Sequence, residues 1–198
     1  METTDYCFSF FRKPIQNIKP IRAVGIVDVY RYIIGHYAQP QTEALRLMLS
    51  SPEAQRYKVT HFDYCTFSGL FRKRNEKELI MHSGLMCLDF DHVDNIGELK
   101  QQLLNHGYFD TELLFVSPSG NGLKWIIPVD LKGWEHSRYF KAVANCIKAT
   151  GLPLVDMSGS DVARSCFLPY DPQAYINHKY KDDVEENIFR PRLGECPF

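Results

Sequence analysis

The chain has 198 residues, 44% of them hydrophobic and 13% aromatic, which is enough to build the core of one compact domain. Its formal net charge of −1 excludes a protein that grips duplex nucleic acid by overall basicity, so any such contact must be local or helped by metal. Nowhere do about 18 apolar residues run together, and Met1-Glu2-Thr3-Thr4-Asp5 has no basic or apolar leader character, so a soluble, cytoplasmic protein with no membrane partner is expected. The six cysteines lack a Cys-x-x-Cys pair or framework spacing and read as reduced core residues, which argues against zinc.

In chain order, Tyr6-Cys7-Phe8-Ser9-Phe10-Phe11 predicts a strand that stops at Pro14, because proline cannot donate to a ladder. Val27, Tyr30, Ile33, Ile34 and Tyr37 recur at helical spacing, so residues 27–37 predict a helix ended by Pro40, with a second short helix over 42–49. Residues 57–60 and 64–67 look like strand material. Residues 69–80 read as a hairpin with a charged tip, Arg72-Lys73-Arg74, in which the basic run is a solvated turn or a phosphate contact; Lys58 has the same ambiguity.

From residue 85 the pattern is a strand (85–90), a helix (96–106) stopped by Gly107, a strand (112–117), a Gly-rich loop and a strand (123–129). A helix over 134–149 and a strand candidate over 163–170 follow. The order β-α-β-β-α-β is that of the ferredoxin-like or RRM-like sheet, with strand order 4-1-3-2. The fold class is therefore α+β: an RRM-like lobe (81–178) packed on an N-terminal α/β lobe (1–80), together one domain over 1–178. A charged, proline-containing tail or linker covers 179–198.

The first of these strands ends in Leu88-Asp89-Phe90-Asp91. Alternate strand residues share a face, so Asp89 and Asp91 project together about 7 Å apart, and a buried strand keeps two such acids only with a cation near them. If the first two strands run parallel, the loop Ser117-Pro118-Ser119-Gly120-Asn121-Gly122 lies at the same sheet edge, and so does the turn after the second helix. That loop is an Asn-Gly hairpin turn, a phosphate cradle with Lys124 as its point charge, or both. Asp156 is the third carboxylate, with Asp161 as the alternative, and Arg164 can hold a phosphate bidentately. Oxygen ligands favour Mg2+ or Mn2+. His92 follows the aspartates and could ligate or relay protons, but its place on the other strand face favours a structural or exposed histidine.

Leu88-Asp89-Phe90-Asp91, the loop through Lys124, and Asp156 with Arg164 together resemble the archaeo-eukaryotic primase (primase-polymerase) superfamily. More narrowly, they resemble the virulence-E N-terminal and BT4734-like domain group of bacterial mobile elements. Gly69-x-Phe71, Phe167-Leu168-x-Tyr170-Asp171-Pro172 and Tyr175-Ile176-Asn177 extend the resemblance over most of residues 5–178. It implies a primase-type core in which Asp89, Asp91 and Asp156 are catalytic metal ligands. It also places Ser119, Gly120, Asn121, Gly122, Lys124 and Arg164 around the phosphates of an incoming nucleotide. Many superfamily members carry histidine where this chain has Lys124; lysine keeps a phosphate contact and leaves polymerase activity open.

The leading expectation is a metal-dependent nucleotidyltransferase, a DNA primase or polymerase core. Its substrates would be nucleoside triphosphates and single-stranded DNA or a primed template, in mobile-element replication, beside a helicase-like domain or protein. The alternative is a non-catalytic module that keeps the fold and binds nucleotide or nucleic acid. A phosphatase of the haloacid-dehalogenase type shares the Asp-x-Asp, but needs a further acidic pair after an apolar strand. Asp182-Asp183 follows a polar stretch instead.

Overall fold

The computed structural model describes residues 6–48 and 52–185. Residues 1–5, the expected end of the second helix at Leu49, Cys196 and the tail beyond residue 185 lie outside the described residues. The described part is mixed α+β, with six α-helices and three antiparallel sheets. None of these helices is long and apolar enough to cross a membrane.

The chain opens with strands β1 (Phe8–Phe11) and β2 (Arg22–Val24), then helices α1 (Ile26–Ile34), α2 (Gln39–Leu47) and α3 (Pro52–His61). Strand β3 (Tyr64–Thr66) leads into the hairpin β4 (Gly69–Phe71) and β5 (Leu79–His82). Then come β6 (Leu85–Phe90), α4 (Ile96–Leu104), β7 (Leu113–Val116), β8 (Leu123–Pro128) and α5 (His136–Ala149). The chain closes through a 3-10 turn (Met157–Ser160), β9 (Cys166–Phe167), β10 (Tyr175–Ile176) and α6 (Lys181–Glu185).

One sheet has the order β2-β1-β3-β9 and another β10-β7-β8-β6. Both β6 and β7 pair antiparallel with β8, so they run parallel to each other and end at one edge. The pleat sends alternate residues of β6 to opposite faces. Met86, Leu88 and Phe90 pack with Leu99 and Leu103 of α4 and Phe140, Val143 and Ile147 of α5. Leu85 faces the other way, into a core shared with Phe8, Phe10, Cys65 and Ile33 from the first sheet and α1. The second sheet is thus covered on both faces.

Three expectations need correction. Residues 57–60 are helical, inside α3: Pro52 occupies its first position, Glu53 its first turn, and Lys58 and His61 its last turn, all suited to the helix dipole. Pro40 does not stop a helix but lies in the first turn of α2, where its missing N–H costs nothing, while α1 already ends before Gly35. Finally, the stretch 163–170 contributes only the two residues of β9, and these pair with β3 (Cys65↔Cys166) rather than with β6. Asp161 holds the backbone N–H groups of Ala163 and Arg164 in a turn, and Pro169 cannot extend the strand. The edge of β6 where a fourth strand was expected instead receives the Asp156 N–H, which donates to the Asp89 carbonyl at 2.8 Å. The fourth strand of this sheet is β10, at the far edge beside β7. The expected tail begins in packed structure: Lys179 and Tyr180 both bond Glu112.

Candidate metal and phosphate site

Asp89 points to the same face of β6 as Leu85, toward the first sheet, by the alternation above. Its register partner across β8 is Lys124, whose own partner on β7 is Phe115, so the three form one row across the sheet. Lys124 Nζ contacts Asp89 Oδ2, and both side chains are largely buried, at 13% and 14% exposed. Burial pushes the Lys124 pKa down, and the nearby cations Lys58 and Arg164 push the same way. The cation that the strand needed beside its acids is thus supplied, at least for Asp89, by the protein itself.

The loop after β7 is a tight hairpin. Ser117 N–H donates to Gly122 O at 2.8 Å, Gly120 N–H donates to Ser117 O at 2.9 Å, and Asn121 O accepts from Val93 N–H at 2.9 Å. Gly120 takes φ +80, and a Cβ on Gly122 would stand 2.4 Å from Phe90 O, so both positions need glycine. The turn reading therefore holds, and the turn lies directly against Asp91. Arg46 of α2 lies over Gly120 and donates to Ser117 O at 3.4 Å, tying the loop to the N-terminal helices.

Asp156 reaches the same point from the third direction. Its carboxylate caps the 3-10 turn, accepting from Ser158 N–H at 2.9 Å and from the Ser158 hydroxyl. Partial burial raises its pKa, but the two Ser158 bonds, Arg164 and Lys124 outweigh this and hold it below the ordinary carboxylate value. Arg164 Nη2 stands 3.6 Å from Asp156 Oδ2. Behind the turn runs a histidine chain. Gly84 N–H donates to His82 Nδ1, His82 Nε2 meets His136 Nδ1, and His136 Nε2 meets Gly159 O, each at 3.1 Å. The Gly84 donor fixes both rings as neutral Nε2–H tautomers.

One carboxylate oxygen from each of Asp89, Asp91 and Asp156 lies within 4.8 Å of the others, a group that could hold a metal ion. The donor set is all oxygen, the type Mg2+ and Mn2+ take. Asp89 Oδ1 is buried without a hydrogen-bond partner, and so is Ser117 Oγ, which lies 3.3 Å from where a Gly122 Cβ would be. A buried carboxylate oxygen left unpaired is costly unless something cationic completes it. The residues present therefore fit such an ion.

Of the residues singled out in the sequence, Asp161 is not in this group; its carboxylate accepts from Ala163 N–H at 2.8 Å. His92 is exposed with φ 55, and Asp182 and Asp183 are exposed on α6, also outside the group. Residues that sequence reasoning left out are Arg46 and Ser158, while Lys58 carried only an ambiguous charge. Lys58 is half-buried on α3; burial lowers its pKa, Asp91 raises it, and Arg164 lowers it, so Lys58 belongs to this cluster. It lies with Ser119 along a cavity of about 300 Å³ whose other walls include Leu45 and Met48.

A family model described as BT4734-like, N-terminal domain matches residues 58–176. The chain belongs to this family. The matched stretch contains all three carboxylates, the glycine loop, Lys58, Lys124 and Arg164. Searches for similar curated proteins and solved structures found no match.

Proposed function

We propose that the site is a metal-dependent nucleotidyltransferase centre of the primase-polymerase type, on an RRM-like core related to the archaeo-eukaryotic primase superfamily. The observation that carries this reading is the meeting of three carboxylates with Lys124, Arg164 and the glycine loop at one sheet edge. The order β6-α4-β7-β8-α5, with β8 between β6 and β7, supports the RRM-like assignment. In this reading Asp89, Asp91 and Asp156 hold Mg2+ or Mn2+. Such an ion, when bound, lowers the pKa of an attacking hydroxyl and stabilises the leaving pyrophosphate. Arg164 presents a planar fork that suits phosphate oxygens, and Lys124 offers a point charge. Ser119, Gly120, Asn121 and Gly122 form the tight turn that borders the triphosphate, the two glycines allowing the turn to pack under Arg46 and against Phe90 and Asp91. The substrates are nucleoside triphosphates, and the acceptor is single-stranded DNA or a primed template in mobile-element replication in the cytoplasm, alongside a helicase-like partner.

The test is incorporation of labelled nucleotides on a single-stranded template with Mn2+. Product from the native chain that disappears in Asp89→Asn and Asp91→Asn is expected; no Asp89-dependent product overturns the enzymatic reading. Lys124 already held on Asp89 favours a second reading, a module that binds nucleotide or nucleic acid without turnover. Nucleotide binding by calorimetry with no incorporation would select it.

A further inference from the structure

Two carboxylates of the group have a cation in contact, and a third cation lies nearby. Lys124 is on Asp89, and Arg164 Nη2 is 3.6 Å from Asp156 Oδ2. Lys58 of α3 lines the cavity that Ser119 also borders, and the Asp91 charge favours its ammonium form. Three negative and three positive charges are thus balanced before any ligand arrives. Mutual repulsion of acids this close, partly out of water, explains why such balance is needed. It also raises the cost of a divalent ion arriving alone, because the ion must enter beside an ammonium and a guanidinium already placed on two of its ligands, with the Lys58 ammonium nearby. A polyphosphate arriving alone meets the same obstacle with the signs reversed. Together they remove it: the cations transfer to phosphate oxygens as the carboxylates close on the metal.

We propose that Lys58, Lys124 and Arg164 form an exchangeable counter-ion set, with Lys58 a phosphate-binding residue of the site, so that divalent metal and nucleoside triphosphate bind together and neither binds well alone. The proposal rests on the nucleotidyltransferase reading of the site. By linkage, the factor by which the nucleotide tightens the metal equals the factor by which the metal tightens the nucleotide. The cavity beside Lys58 and Ser119, walled by Leu45 and Met48, gives the displaced ammonium and the bound polyphosphate room on the α2–α3 side.

The test measures two affinities in the same variants, Lys58→Met and Arg164→Met, with Lys124→Met added if it folds. The first two side chains are half-buried or more exposed, so their removal leaves the core intact. Mn2+ alone, followed by the loss of its free-ion magnetic resonance signal, is expected to bind about tenfold more tightly to each variant than to the native chain. A non-hydrolysable nucleoside triphosphate, titrated at saturating Mn2+, is expected to bind about tenfold more weakly. Lys141→Met, exposed on α5, is expected to change neither. The opposed signs are the signature, since a merely destabilised site would lose both affinities. If Mn2+ binds the native chain and the variants bind it no better, the exchange is overturned while the metal site stands. Tighter Mn2+ without weaker nucleotide also overturns it. If neither native chain nor variants bind Mn2+ with the nucleotide present or absent, the nucleotidyltransferase reading fails and takes this inference with it.

Discussion

The second sheet carries an acid at each end, and the two are treated differently. Glu112, just before β7, is 1% exposed and fully matched: Oε1 accepts from Lys179 Nζ and Oε2 from Tyr180 OH, both at 2.6 Å. Asp89, at the end of β6, has one oxygen on Lys124 and the other buried with no partner. A carboxylate with each oxygen answered by its own chain is a clasp. One left half answered is open to a ligand. The same logic separates Asp63, which accepts from Arg12, the Lys13 amide and Tyr32, from the metal group.

The comparison can be broken most directly at its ligand end. Asp89→Asn is expected to lower Mn2+ affinity about 100-fold, read by calorimetry, with the fold retained by circular dichroism. The mirror experiment, Glu112→Ala, is expected to cost about 2 kcal/mol in a urea titration because it strands the buried Tyr180 hydroxyl and frees Lys179, and to leave Mn2+ affinity unchanged. Equal effects of the two substitutions on metal binding would erase the distinction. Gly122→Ala, which places a Cβ 2.4 Å from Phe90 O, should cost about 2 kcal/mol by the same titration and misplace the loop beside Asp91.

The smallest effect concerns pH. Burial, with His136 beside it, lowers the His82 pKa to about 4, and burial lowers that of His136 despite Gly159 O, Asp161 and Glu76. Between pH 4 and the ordinary histidine value the unfolded chain therefore binds protons that the folded chain refuses. Stability should fall as pH drops through that window, and His82→Asn should flatten the slope of melting temperature against pH.

Much of this was legible in sequence where signals are local. The apolar run ending in Asp89-Phe90-Asp91, the Asn121-Gly122 turn and the faces of α4 and α5 are all set within a few residues, the parallel course of β6 and β7 brought the glycine loop to the same edge, and the return of α5 brought Asp156 there. What escaped has no local period. The edge strands β2 and β10 are three and two residues long, too short for alternation to register. Helix α3 buries none of its residues, so no apolar stripe announced it. Arg46 reaches Ser117 from 71 residues away, a contact only the tertiary fold creates.

The core shared by the two sheets has a consequence for what is inherited as a unit. The family match begins at residue 58, yet β3 is flanked by β1, and Phe8, Phe10, Val24, Ile26, Val29 and Ile33 fill the space beneath Leu85 and Phe115. A fragment cut at 58 and 176 would keep every carboxylate while baring one edge of β3 and an apolar face of the second sheet, and it would lose Tyr180 from the core. The matched segment carries the candidate site, but the unit that must fold intact is longer, because residues 8–33 supply the core on which that segment rests.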